Sequence, residues 1–204
     1  MTLAFDPTAH RYTWNGARIP SVTQVLGPLF DWTKVPPALL EHKRQIGTVV
    51  HTAIHMELTG GVDLSSIHPQ ALPYFDAWRR FRDECSFEPV LVEYRVCSDE
   101  LGEDHRYAGT LDEWGYLQGC QALIDWKTSM LLNYDAVGAQ TAAYLKALVR
   151  SGIGALSDKR FALKLGADGR YELERFRKLD DDWQRFARCL KYHIDKPAYA
   201  EVKT

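Results

Sequence analysis

Two short stretches hold residue types able to do chemistry. Tyr107-Ala-Gly-Thr-Leu-Asp112-Glu-Trp-Gly-Tyr116 sets one carboxylate in an apolar run, and Ala122-Leu-Ile-Asp125-Trp-Lys127-Thr-Ser129 ends a second run in acid, aromatic, lysine. Asp125 and Lys127 stand two apart, so on a strand both side chains leave one face while Trp126 turns into the core. Asp112, on the preceding strand, is expected beside Asp125, with Glu113 pointing away. Two carboxylates, the backbone carbonyl of Trp126 and water make an oxygen shell suited to Mg2+. Such an ion lowers the pKa of a bound water and offsets the charge of a phosphate ester. Lys127 is placed to orient or help deprotonate that water and to stabilise developing charge. The chemistry expected is phosphodiester hydrolysis. The competing reading, a surface salt bridge, is disfavoured because two acids beside an apolar strand end are costly without a counter-ion.

Acid-x-lysine alone is not distinctive, since Glu41-His-Lys43 and Glu201-Val-Lys203 share it. The first lies in a helical stretch and the second in a tail. The middle tripeptide differs in ending an apolar strand that neighbours another acid.

Hydrophobic period and turn signals outline the elements that position these residues. Residues 10–20 read as a small hairpin with Asn15-Gly16 as a type I′ turn. Pro20-Ser21 opens a short helix with Ser21 as N-cap. Pro36-Pro37 starts another, expected to run into residues 46–58 and to stop at Gly60-Gly61. Residues 70–84 carry Leu72, Phe75, Trp78 and Phe81 at helical spacing. Residues 90–96, 106–116 and 121–126 read as strands, the last two joined at Gln118-Gly119. Residues 136–150 read as a helix, 161–165 and 171–176 as a hairpin across Asp168-Gly169, and 180–194 as a closing helix. This order predicts an α/β fold, a central mixed sheet with helices on both faces. One domain over 1–204 is expected, with 1–45 as an N-terminal hairpin and helical extension and 46–195 as a catalytic core.

A chain of 204 residues, 46% hydrophobic and 25% charged, can bury a substantial core in one domain. Its formal net charge of −2 does not advertise nucleic-acid binding, although a basic groove can coexist with acidic patches. Cys85, Cys97, Cys120 and Cys189 form no C-x-x-C pair and read as separate reduced thiols, which disfavours a zinc or iron–sulfur site. No apolar run reaches the ~18 residues of a membrane span, and residues 1–6 lack signal-peptide features. The expected location is the cytoplasm of a bacterium or a phage-infected host. No Walker A motif is present, so no fused motor is expected.

Gly109-Thr-Leu-Asp112, then Ile124-Asp125-Trp-Lys127-Thr128, then Gln140-x-x-x-Tyr144, resemble the PD-(D/E)XK nuclease superfamily, most nearly its RecB-like exonuclease branch. Gly47-Thr-Val-Val-His51 resembles that branch's Gly-x-x-x-His element. Ile19-Pro-Ser21-Val-Thr23-Gln-Val-Leu26 resembles an element preceding it in phage exonucleases and the mitochondrial genome maintenance exonuclease. The resemblance implies a restriction-endonuclease-like α/β/α core and a DNA exonuclease of recombination or repair using one or two Mg2+ or Mn2+ ions. It makes His51, Asp112 and Asp125 metal ligands and Lys127 the catalytic lysine, and it turns Gln140 and Tyr144 toward the site. The branch's iron–sulfur members place three cysteines after the core. Here only Cys189 follows Lys127, so no iron–sulfur cluster is expected. Linear, end-dependent DNA is the expected partner, with a separate single-strand annealing protein or helicase beside it, and no membrane.

Other readings are open at this level. His51 and His55 form an i, i+4 pair that zinc could use, though position 52 is Thr where a zinc protease has Glu. Glu93 is either an accessory acid or a partner for an arginine. Ser21, Thr23, Lys43, Arg44 and Thr128 are the expected nucleic-acid contacts. Further basic groups occur at Arg79-Arg80-Arg82, at Lys159-Arg160 with Lys164, and over 175–178, and Trp32, Trp78 and Tyr134 are candidate stacking residues. The helical segment before Gly47 is a candidate wall over the site. A structure-specific endonuclease, or a catalytically silent DNA-binding recombination module on the same fold, would be the alternatives; the intact Asp112, Asp125 and Lys127 argue against the second.

Overall fold

The period-two residues assemble into one five-stranded sheet in the computed structural model, which describes residues 2–31, 33, 35–129, 131–153 and 157–195. Trp32 and Glu201-Val-Lys203 lie outside the described residues. The strands are β4 (Phe87–Ser98), β5 (Tyr107–Leu117), β6 (Cys120–Lys127), β7 (Arg160–Leu165) and β8 (Tyr171–Phe176), ordered β4-β5-β6-β7-β8. All neighbours are antiparallel except β6 and β7, which run parallel because helix α4 (Tyr134–Arg150) crosses between them.

Alternation along β6 divides the core. Ala122, Ile124 and Trp126 pack with helices α2 (Pro37–Thr59) and α3 (Leu72–Cys85) on one face. Leu123 packs with α1 (Val22–Val25), α4 and α5 (Leu179–Asp195) on the other. Helices therefore cover both faces of a mixed sheet, the expected α/β/α arrangement, consistent with a restriction-endonuclease-like core.

The turn residues behave as their chemistry requires. Asn15-Gly16 and Gln118-Gly119 all have left-handed φ (49°, 84°, 51° and 73°), the backbone of a type I′ hairpin turn. Ser21 caps α1 through a capping box with Gln24. The N-terminal hairpin of β2 (Arg11–Trp14) and β3 (Ala17–Ile19) gains a third strand, β1 (Leu3–Asp6), which sequence reading missed. This small sheet is tied to β5 by a parallel bridge between Ser21 and Ala108. Helix α2 runs unbroken through residue 45, where the extension and core were divided.

Arg160 corrects the expectation of a basic Lys159-Arg160-Lys164 surface. It is fully buried, donating to Asp182 Oδ2 and the Gly138 carbonyl (2.9 Å each) and to Thr141 (3.2 Å). It clamps β7, α4 and α5 together, so its charge is spent on the fold.

Candidate metal centre

The site lies where β5 and β6 part. Their ladder ends at Glu113↔Ile124, and continuing that register sets Asp112 opposite Asp125. Beyond this point the Trp126 amide donates to the Asp112 carboxylate, at 2.6 Å. On the other side of β5, the pairs Val92↔Glu113 and Tyr94↔Leu111 set Glu93 opposite Asp112. Glu93 has a left-handed φ of 46° inside a strand, a conformation costing on the order of 1–2 kcal/mol for a non-glycine residue.

Helix α2 brings His51 over this opening. Val50 and Ile54 bury the helix against the sheet. The His51 ring stands edge-on to Trp126, centroids 5.0 Å apart, with Nδ1 3.4 Å from both Glu93 Oε1 and Asp112 Oδ1. The ligand atoms of His51, Glu93 and Asp112 all lie within 4.8 Å of one another. His55 is not part of this cluster.

Asp125 is turned instead toward Lys127, with which it forms an ion pair. Asp125 is 1% exposed, and its Oδ2 lies against the Lys127 ammonium. Lys127 also donates to Gln140 Oε1 (3.3 Å), and Gln140 donates to the Tyr144 hydroxyl (3.3 Å). The Tyr144 ring lies against Gly109, where an added Cβ would fall 2.5 Å from it. Gly47 faces Thr128 less tightly, an added Cβ meeting the Thr128 hydroxyl in ordinary contact at 3.4 Å.

The electrostatics are those of crowded acids short of positive charge. Burial first, then the Asp125 and Glu93 charges, push Asp112 up to about 7 against the pull of His51 and Lys127. Burial opposes charge on His51, but Asp112 and Glu93 outweigh it and its pKa stands above the ordinary value. Burial likewise opposes charge on Lys127, and Asp125 with Asp112 raises it nonetheless. Three acids, two of them buried, gathered with a histidine fit a divalent cation with hard oxygen and borderline nitrogen ligands, as Mg2+ or Mn2+ takes. Glu113 points away as expected, accepting from the indoles of Trp126 (2.8 Å) and Trp78 (3.3 Å) on the α2/α3 face.

The expected nucleic-acid contacts fare unevenly. Thr128 is half-buried against Gly47, while Lys43 and Thr23 are exposed. Ser21 is buried, its hydroxyl committed to capping α1. Arg44 makes two 2.8 Å bonds to Glu41. Trp78 is core, Arg79 and Arg82 face Glu57, and Arg80 pairs with Glu84. Tyr134 stays 57% exposed. Sequence reading missed Tyr12, whose hydroxyl meets the Thr110 hydroxyl at 2.7 Å beside the site. Its alternation within a short hairpin was the available signal.

No family model and no curated protein matches the chain. Two of the distantly similar solved structures are these. One is a candidate exonuclease from Eubacterium rectale, 12% identical at a TM-score of 0.49, covering 76% of this chain and 65% of that one. The other, SSO0001, is 14% identical at a TM-score of 0.43 and covers 74% of each chain. The chain thus spans just under two thirds of the first neighbour's length, at 65%.

Proposed function

We propose that this chain is a metal-dependent deoxyribonuclease that hydrolyses phosphodiester bonds at the ends of linear DNA, an exonuclease of RecB-like type acting in phage or bacterial recombination or repair. The observation that carries the reading is the gathering of His51, Glu93 and Asp112, whose ligand atoms all lie within 4.8 Å of one another, next to the buried Asp125 carboxylate and its ion pair with Lys127. That cluster and Asp125, with the Trp126 carbonyl, would hold Mg2+ or Mn2+. The ion, when bound, would supply an activated water and charge neutralisation at the phosphate. Lys127, held between Asp125 and Gln140, directs its ammonium at the developing charge. Gln140 fixes the lysine, and Tyr144, seated on Gly109, fixes Gln140. Among the described residues no helix is long and apolar enough to cross a membrane.

The test uses end-labelled linear single- and double-stranded DNA and a circular control, each with Mg2+, Mn2+ or EDTA. Metal-dependent shortening of linear DNA alone is expected, abolished by Asp125→Ala and Lys127→Ala. Cutting of circles would make it an endonuclease. Binding without turnover in either metal would make it a silent DNA-binding module.

A further inference from the structure

Among the described arginines of the five-stranded sheet, Arg95 is the one without a carboxylate partner: Arg160 has Asp182 and Arg175 has Asp158. Arg95 is exposed on β4, two residues from Glu93, a separation of roughly 6–7 Å along a strand. It does not turn back to Glu93. Its guanidinium lies over the ring of Phe5, 5.1 Å from the centroid, so a residue of the N-terminal sheet carries it.

Arg95 pairs across the ladder with Thr110, whose hydroxyl meets the Tyr12 hydroxyl, and Tyr12 stacks at a tilt on Phe5 with centroids 4.6 Å apart. Thr110 follows Gly109, on which the Tyr144 ring rests, and stands two residues before Asp112 on the same strand. A polar track therefore runs from the paired aspartates past Tyr144 and Tyr12 to an unneutralised, platform-mounted guanidinium at the rim. An exposed cation left unpaired beside several acids, and spent on no fold contact but a ring face, suits a multiply charged anion arriving from solvent. A planar guanidinium matches phosphate oxygens in fork geometry.

We propose that Arg95, mounted on Phe5 of the N-terminal sheet, binds a phosphate of the nucleic-acid strand next to the one held at the His51–Asp112–Asp125 site. This rests on the nuclease reading for the identity of the strand, and it gives the N-terminal sheet a role in holding substrate. Arg95 sits outside the cluster that would hold the metal, so its loss weakens binding and leaves the chemistry.

The experiment reads binding separately from cutting. A fluorescein-labelled single-stranded oligonucleotide is titrated into the full chain by anisotropy, in EDTA and in Ca2+, over a range of salt. Arg95→Ala is expected to weaken affinity about tenfold and to flatten the slope of log affinity against log salt by about 0.7, the loss of one single-strand phosphate contact. Arg95→Lys should keep the slope and lose part of the affinity, and Phe5→Leu should weaken binding with the arginine present. Lys191→Ala, removing an exposed charge from α5, should leave affinity unchanged. In turnover, Arg95→Ala should raise KM and spare kcat. Oligonucleotides with and without terminal phosphates separate an internal diester, bound equally in both, from a terminal phosphate. Affinity and slope indifferent to Arg95, an equal loss in Lys191→Ala, or no wild-type binding in either buffer overturns the subsite. Arg95-dependent binding with no cutting in Mg2+ or Mn2+ sinks the nuclease reading and leaves the subsite standing.

Discussion

The amide of Trp126 donates to the carboxylate of Asp112, at 2.6 Å, where β5 and β6 separate. A side chain thus takes the place of a ladder carbonyl, and the acid is held by the strand that carries Asp125 and Lys127. Asp112 is thereby a structural acceptor and a charge at once, and the two roles can be separated.

Asp112→Asn keeps an acceptor for the Trp126 amide but removes the charge. Thermal stability is expected to hold within about 1 kcal/mol, while kcat falls on the order of 10²–10³-fold. Isothermal titration of Mn2+ into the wild type should show binding that the variant weakens and EDTA removes. Unchanged metal affinity in the variant would contradict the assignment of Asp112 as a ligand.

Gly109→Ala puts a methyl 2.5 Å from the Tyr144 ring. Overpacking of this kind costs about 1–3 kcal/mol, and here it should also displace Gln140 and so Lys127. The measurement is a double-mutant cycle with Tyr144→Leu: the double variant should recover stability relative to the sum of the singles, while activity stays low. Additive stability changes would show that the ring does not rest on this glycine.

Glu113 supplies a pH dependence. Burial, only partly offset by its hydrogen bonds to Trp126 and Trp78 and by the charge of Arg82, lifts its pKa from 4.5 to about 8, with Asp112 adding to the rise. A folded-state pKa above the unfolded one means stability is fully present below pH 4.5 and is lost as pH rises through about 8. Chemical denaturation in EDTA should show the wild type losing stability between pH 4.5 and about 8. Glu113→Gln, which keeps an acceptor but does not ionise, should lose less. Parallel pH profiles for the two proteins would refute this.

The buried pair of Arg160 and Asp182 should behave as a fold clamp. Arg160→Met leaves Asp182 buried without its main partner and is expected to cost about 3–5 kcal/mol. Adding Asp182→Leu should restore part of that loss, read from urea midpoints. DNA affinity of the folded variant should match the wild type.

Much of the fold was legible because it depends on near neighbours. The hairpins follow from Asn15-Gly16 and Gln118-Gly119, and the shared face of Asp125 and Lys127 follows from the two-residue period of a strand. The approach of His51 to Asp112 was expected from the motif resemblance, while Glu93 rather than Asp125 completes their cluster, and Gly109 has a steric reason in Tyr144. The fate of each charge was not legible. Arg160 looked like a surface cation but faces Asp182, because α5 returns over β7 after some twenty residues. Glu93 was open between two roles until its left-handed φ and the register of β4 against β5 set it beside Asp112. Arg95 remained unpaired because the N-terminal sheet offers it the face of Phe5, while Asp6 of that sheet accepts from the Thr8 and Ala9 amides. Local spacing determined which residues share a strand, a turn or a helix face. Whether a buried or exposed charge meets an acid, a ring or water was decided by segments far apart in the chain, since Coulomb and desolvation energies depend on distances that only the packed fold sets.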